Sequence, residues 1–455
     1  MRFVDLFSGL GGFHLALSPF GGDCVFALDI DDELRGLYQR NYGLSARQLG
    51  ADIRDDWRNV PNHDVLCAGF PCQPFSKSGA QLGRKDQTRG TLFDFVLRIA
   101  SKHKPKLIIL ENVGNFARHD SGNTWRIVQA SLARIGYTVV GTEHLNRGGS
   151  GLLSPHHLGF PHVRERFFAV ASLNGFRDSP LPQALASSAS RQPLSSFLQK
   201  SSELSATQKI ECSLSPRQVR CIDHWNEFVQ SIPSTIELPA FPIWGDEFGA
   251  KYPTDRYLSS VGKTTLRRFI IGSLRPPASL SRDELLLNFP AYMRNGEGAL
   301  PRWKSRFLEQ NRHFFKLVRR YLRKGWLEEL REFPPSLRKL EWNCHGEERN
   351  LWKYVLQFRP SGLRAKRFTS IPALVAMTTT QIPILGPQKR FLTCREGARL
   401  QGMPDTLILP ASRAKVFHAL GNAVHVGVVQ SVYRQASGVL LRRGLAQNGY
   451  LIKAG

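Results

Sequence analysis

Short apolar runs alternate with helix-like segments from the N-terminus to about residue 172, and that rhythm leaves few architectures open. Phe3–Phe7 reads as a strand and residues 11–18 open a helix. Cys24–Leu28 is a strand and Asp32–Tyr42 a helix; Val65–Ala68 is a strand, 91–102 a helix, and Leu107–Leu110 a strand. Residues 123–135 read as a helix, and Thr138–Val140 and Arg166–Ala171 as strands. The pattern predicts a doubly wound, Rossmann-like α/β domain around an open parallel sheet. In such a sheet the carboxyl ends of the strands share one crevice. Two strand ends carry chemistry. The run Asp64–Ser76 passes from an apolar strand into a Gly/Pro turn that presents Cys72, and Leu107–Leu110 ends in Glu111-Asn112-Val113. A thiolate and a carboxyl group in one crevice suit addition to an electron-poor ring whose nitrogen is steadied by the second group.

The chain has 455 residues, enough for two domains or one large domain with an insertion. Its formal net charge of +25 attracts polyanions, and nucleic acid is the partner it indicates. A basic but merely solvated surface is the alternative reading. The seven cysteines are scattered without C-x-x-C spacing, so neither a zinc site nor a disulfide framework is indicated. The N-terminus does not read as a signal peptide, and no apolar run approaches the ~20 residues that span a bilayer. The expectation is a soluble cytoplasmic monomer, associated with the nucleoid, with no membrane partner.

Between Ser172 and about Pro216 the composition shifts to Ser, Pro, Gln and Leu without period, which reads as an irregular connection. Residues 217–370 interleave aromatic and basic residues, as in Arg302–Phe307 and Lys316–Trp326, the latter at roughly helical spacing. From about Arg390 the chain reads like the first domain again: Thr393–Gly402 is helix-like, and Ala414–Ala419 leads through Gly421-Asn422-Ala423-Val424 to a final apolar helix. The simplest organisation is a domain at 1–172, an insertion at 173–387, and a return at 388–455.

Asp5–Phe13 is strand, glycine-rich turn and helix, and glycines there let a ligand approach the backbone. The next strand ends in Asp29-Ile30-Asp31, where an acid can accept from ribose hydroxyls. A third strand region delivers Ala51-Asp52-Ile53, whose carboxylate can accept from an adenine amino group. Three acids without a phosphate-binding cation point to S-adenosylmethionine over a nicotinamide cofactor. Gly262-Lys263-Thr264 looks like the end of a phosphate loop, but Tyr257 occupies the position of the leading glycine.

With these residues in view, the chain resembles the DNA (cytosine-5)-methyltransferase family, in its bacterial type II restriction–modification branch. The resemblance covers 1–172 and about 388–435. Asp5–Gly12 resembles the cofactor loop, Gly69–Gln73 the nucleophile loop, Glu111–Val113 the catalytic glutamate motif, and Arg164-Glu165-Arg166 the paired arginines. Arg395–Pro404 and Gly421–Val424 resemble the closing motifs.

The resemblance implies a Rossmann-like methyltransferase domain with a large inserted target-recognition domain, acting on a flipped cytosine in double-stranded DNA. It implies Cys72 as nucleophile, Glu111 as partner of the cytosine N3 and amino group, Arg164 as support for the base, and Arg166 as a residue ordering the site. Phe7, Gly9, Leu10, Gly12, Asp29, Ile30, Asp52, Ile53, Pro71, Leu92, Asn422 and Ala423 are expected around S-adenosyl-L-methionine, released as S-adenosyl-L-homocysteine. Ser76 and Ser78 are expected at the DNA, as are Arg267, Arg302, Arg319 and Arg364. Pro372–Thr380 is expected to support the recognition domain near the base. A cognate restriction endonuclease is implied as a functional partner.

Two positions depart from the family pattern: Asp29 stands where glutamate is common, and His162 where glutamine is frequent. Cys67 reads as core, His119 and His156-His157 as satisfied or loop histidines, and Trp225–Phe228 as packing. The tRNA-modifying branch of the superfamily carries a Cys-Phe-Thr signature that is absent here. A DNA-binding protein with an inactive methyltransferase domain is the other alternative, and intact Cys72, Glu111 and Arg164 argue against it.

Overall fold

The computed structural model describes residues 1–71, 91–144, 151–176, 181, 190–270, 279–376 and 379–438. It divides into two compact units: Met1–Ser205 with Thr369–Ile382 and Leu392–Gly455, and Ala206–Phe368 with Pro383–Phe391. The first boundary therefore falls later than the expected 172/173. Residues 190–205 belong with the first unit because Leu194 and Phe197 are buried and the Gln199 N–H donates to Glu396 Oε1 at 2.8 Å. Residues 369–382 return to it as well: Ile371 and Pro372 pair in parallel with His162 and Val163.

The first unit is built on a seven-stranded sheet. Its strands are β1 (Arg2–Leu6), β2 (Asp23–Leu28), β3 (Leu49–Gly50), β4 (Val65–Ala68), β5 (Leu107–Val113), β6 (Thr138–Gly141) and β7 (Arg166–Ser172). They lie in the order β3-β2-β1-β4-β5-β7-β6. β3, β2, β1, β4 and β5 run parallel, and β1 and β4 are buried at nearly every position, as a strand covered on both faces must be. The expectation of a parallel sheet fails at one edge. β7 is antiparallel to both β5 and β6. The described residues between β6 and β7 carry short 3-10 turns and the two-residue strand His162–Val163 but no α-helix, and an antiparallel pair needs no crossover helix.

Helices α1 (Gly12–Leu17), α2 (Asp32–Tyr42), α3 (Leu92–His103) and α4 (Asn123–Arg134) connect the strands. α2 begins where the Asp31 side chain accepts from the Leu34 N–H at 3.1 Å and stops at Gly43, φ 72°. α3 begins where Thr91 N–H donates to Asp94 Oδ2 at 2.6 Å. The core between helices and sheet includes Val4, Leu66, Phe93, Val96, Ile108, Phe116, Trp125 and Phe167. Cys67 is fully buried there, and burial pushes its thiol up, out of the reactive range.

In the second unit, α5 (Pro216–Ser231) buries Trp225 and Phe228, and Trp225 Nε1 donates to Leu337 O at 2.8 Å, so this stretch is packing as read. α6 (Arg302–Val318) follows, but the helical spacing over Lys316–Trp326 does not yield one helix. α6 ends at Val318, and Gly325, φ 86°, caps a separate helix at Trp326–Glu332. Six short strands form a sheet: β8 (Ile243–Trp244), β9 (Lys339–Asn343), β10 (Val355–Arg359), β11 (Gly362–Lys366), β12 (Ile384–Leu385) and β13 (Arg390–Phe391). A small core around Leu258, Leu266, Leu285, Met293 and Leu308 organises residues 252–308. Beside it the fully buried Glu247 binds Tyr252, Tyr292 (2.7 Å) and Arg312 (2.9 Å).

The first unit closes with α7 (Cys394–Leu400), α8 (Arg413–Asn422) and α9 (Val426–Ser437). No described helix is long and apolar enough to cross a membrane.

Candidate active site

At the carboxyl ends of β1, β2, β4 and β5 the first unit encloses a cavity of about 520 Å³. One side is the turn after β1. Phe7 (φ 60°), Gly9 (φ 51°) and Gly11 (φ 78°) all take left-handed backbone, so the run of glycines answers a conformation that side chains resist. Three backbone donors hold it: Ser8 N–H to Leu28 O at 2.9 Å, Gly11 N–H to Ser8 O at 2.8 Å, and Gly9 N–H to Asp29 Oδ2 at 2.8 Å. Phe7, Gly9 and Gly12 line the cavity as expected. Leu10 does not: it is 3 % exposed and packed behind the loop, because the turn points its side chain into the core.

The acids follow in order. Asp29 accepts from Gly9 and, through Oδ1, from the Asp31 N–H at 2.9 Å; burial raises its pKa and these two donors oppose the rise. Ile30 is 72 % exposed on the cavity wall, an apolar surface without a protein partner of its own size. Asp52 caps the short helical turn Ile53–Asp56 and is gripped by Arg54, whose Nε lies 2.9 and 3.0 Å from its two oxygens. That guanidinium holds the Asp52 carboxyl below its usual range. Arg54 is a lining cation that the sequence reading missed, already neutralised by Asp52. Ile53, Pro71, Leu92, Asn422 and Ala423 also line the cavity.

Glu111 lies near the carboxyl end of β5 and is 6 % exposed. Its Oε1 meets Arg166 Nε at 3.2 Å, and burial raises its pKa against the pull of Arg166 and Arg164. The next residue fixes the neighbouring loop: Asn112 Nδ2 donates to Phe70 O at 3.0 Å, locking the turn that leads towards Cys72. Cys72 itself lies outside the described residues, as do Ser76 and Ser78.

The two arginines have different surroundings. Arg164 is 2 % exposed, and its guanidinium donates to the carbonyls of Gly421 (2.8 Å), Ala423 (2.8 Å) and Leu374 (3.3 Å). Burial and Arg166 push its pKa down to about 9, so it remains charged at neutral pH. Arg164 clamps these three carbonyls, and Arg166, half-buried, is the one that pairs with Glu111. The clamp needs Gly421, where a Cβ would lie 2.4 Å from Ala376 N.

His162 and His425, both buried, flank Arg164, and burial keeps their imidazoles neutral. His162 Nδ1 pairs with Leu400 O at 2.8 Å. His119 and His156 find Thr124 and Ser154, each at 2.7 Å, as satisfied histidines should. His418, one turn before Asn422 on α8, lines the cavity and was not singled out from sequence; an i, i+4 relation to Asn422 is the signal that could have found it. No group of three His, Cys, Asp or Glu among the described residues could hold a metal. In the second unit Arg302 and Arg319 are exposed, Arg267 is half-buried, and Arg364 is paired with Glu341 at 2.5 Å.

The family model for C-5 cytosine-specific DNA methylases matches residues 1–236 and 308–438. Type II methyltransferase M.AluI of Cellulosimicrobium cellulans is 34% identical over 499 aligned residues, covering 95% of this chain and 91% of that protein. Type II methyltransferase M.BanI of Aneurinibacillus aneurinilyticus is 28% identical over 447, covering 95% and 94%. Type II methyltransferase M.HhaI of Haemophilus parahaemolyticus is 40% identical over 174 residues, covering 38% of this chain and 50% of that protein. A model that spans most of the chain, and a relative aligned along nearly its whole length, make this chain a member of the C-5 cytosine-specific DNA methylase family and a DNA cytosine-5 methyltransferase of the type II class.

Proposed function

We propose that the enzyme methylates C5 of a cytosine flipped out of a specific duplex sequence, through a covalent adduct between Cys72 and the cytosine C6. The observation that carries this reading is the buried Glu111–Arg166 pair opening onto the same cavity as the glycine loop and its acids. Carbon 5 of cytosine is a poor nucleophile. Attack of the Cys72 thiolate on C6 makes C5 enamine-like, able to take a methyl group; loss of the C5 proton then expels the thiolate. Glu111 supports the adduct at N3, where a carboxyl with a raised pKa can share its proton with the ring. Arg166 holds that carboxyl in place from one side. The base reaches the cavity only by flipping, at a cost of roughly a few kcal/mol.

The donor set fits S-adenosyl-L-methionine, which supplies an electrophilic methyl on a sulfonium centre when bound. Asp29 offers its remaining lone pairs to ribose hydroxyls, the exposed Ile30 offers a flat apolar surface to a purine, and Asp52 offers an acceptor to its amino group. The described lining cation on this side, Arg54, is spent on Asp52, and Lys415 is spent on the lining Asp31, which disfavours a phosphate and suits a nucleoside with a positive charge.

The second unit, with Arg302 and Arg319 exposed, is the part we assign to target recognition, and protection of host DNA against a cognate endonuclease is the physiological role. Expression of the intact protein and Cys72→Ala in a host lacking cytosine methylation tests the reading. A single methylated motif with the intact protein alone supports it; no 5-methylcytosine from folded, cofactor-binding protein refutes it.

A further inference from the structure

The glycine loop takes three left-handed residues in five, including the non-glycine Phe7. Strain of this kind costs of order 1–3 kcal/mol per non-glycine residue and persists only where the surroundings over-determine the backbone. The loop's own donors explain Ser8, Gly9 and Gly11. They leave the Leu10 carbonyl, at the apex, to be held by something else. Tyr42, the last residue of α2, holds it: the phenol donates to Leu10 O at 2.7 Å, with Gly11 O further off at 3.5 Å.

The phenol ring also stands against the loop. A Cβ at Gly11 would lie 2.4 Å from Tyr42 Cε2 and from its hydroxyl oxygen. The ring is fixed from behind by His14, stacked on it at 3.9 Å between centroids with the planes 18° apart, and by the edge of Tyr38 at 4.6 Å. Tyr38 donates to the buried Asp5 Oδ2 at 3.1 Å, and His14 Nδ1 lies 3.0 Å from the Tyr38 hydroxyl. Since that hydroxyl spends its proton on Asp5, His14 Nδ1 carries a hydrogen and donates to it. Burial holds the imidazole pKa down to about 4, so this neutral tautomer persists at neutral pH. The other end of α2 is tied to the same cavity: Asp31, its cap, binds Lys415 Nζ of α8 at 2.6 Å.

We propose that Tyr42 is a positioning residue for cofactor binding, its hydroxyl fixing the Leu10 carbonyl so that the glycine loop is preformed. The inference rests on the cofactor reading above. It predicts an effect on affinity and not on chemistry, because a loop that must be reordered lowers apparent affinity by the fraction of competent molecules.

The test is titration calorimetry with S-adenosyl-L-homocysteine, alongside steady-state methylation kinetics, on the intact protein, Tyr42→Phe and Tyr38→Phe. Tyr42→Phe keeps the ring and its stack and removes one neutral hydrogen bond, so Kd and the cofactor KM should rise about five- to tenfold with kcat within about twofold. Tyr38→Phe loosens the same cluster without touching the loop. It should lower the melting temperature and leave Kd within about twofold of the intact protein. If Tyr42→Phe binds as tightly as the intact protein, or if both variants weaken binding equally, the positioning role is overturned and the cofactor reading stands. If the intact protein itself does not bind S-adenosyl-L-homocysteine, the cofactor reading fails and this inference fails with it.

Discussion

Arg164 and Arg166 stand two residues apart, a spacing that in an unbroken strand would put both side chains on one face. They part because β7 starts only at Arg166, while His162 and Val163 are paired elsewhere, with Ile371 and Pro372. The resemblance gave the base to Arg164 and the ordering of the site to Arg166, and local sequence carries no sign that Arg164 is the one buried among distant carbonyls while Arg166 pairs with Glu111. Their variants should separate cleanly. Arg164→Ala removes a buried cation from three carbonyls, and such breaks cost roughly 3–5 kcal/mol; a large fall in melting temperature together with lost cofactor binding is the expected result. Arg166→Ala should stay folded and bind cofactor with near-normal affinity, while methylation under saturating conditions slows by about 100-fold or more. Equal loss of stability in the two variants would contradict this division. Glu111, by contrast, was singled out from residue type and motif alone, near the carboxyl end of β5.

At the scale of elements, α2 was readable to the residue because its signals are local: Asp31 caps it and Gly43 stops it. The antiparallel course of β7 was not, since an apolar run reads alike in either direction. The start of α9 makes a pH prediction. His425 caps this helix, Nδ1 accepting from the Val428 N–H at 3.3 Å, and is 3 % exposed. Burial lowers its pKa from 6.5 to about 3. A depressed folded-state pKa contributes stability that is present above the unfolded value of 6.5 and lost as pH falls towards 3. Between pH 7 and 5 that loss is on the order of 2 kcal/mol. His14 and His63, lowered to about 4, act in the same direction. His425→Asn keeps a capping oxygen and does not titrate, so its melting temperature should fall less than that of the intact protein between pH 7 and 5. An identical fall would exclude the contribution of His425.

For the whole molecule the dominant fact is a formal charge of +25. If six to ten lysines and arginines meet phosphates, duplex affinity should drop about 10³–10⁵-fold between 50 and 200 mM salt. A flat salt dependence in a gel-shift or fluorescence titration would mean that the charge is mere solvated surface. Arg364→Ala should flatten the slope less than Arg302→Ala or Arg319→Ala, because Glu341 already compensates it. The sequence by itself determined the α/β class, the strands whose ends carry Glu111 and the acids, the glycine turn after β1, and the basic character of the inserted stretch. Each of these is written in a few neighbouring residues: periodicity, a cap, a glycine turn, a charge count. Only the tertiary structure decided where the units divide, that Arg54 spends its charge on Asp52, and that Tyr42 holds Leu10. It also decided that Arg164 serves as a clamp, because its carbonyl partners lie more than two hundred residues away in the chain and only folding brings them to its guanidinium.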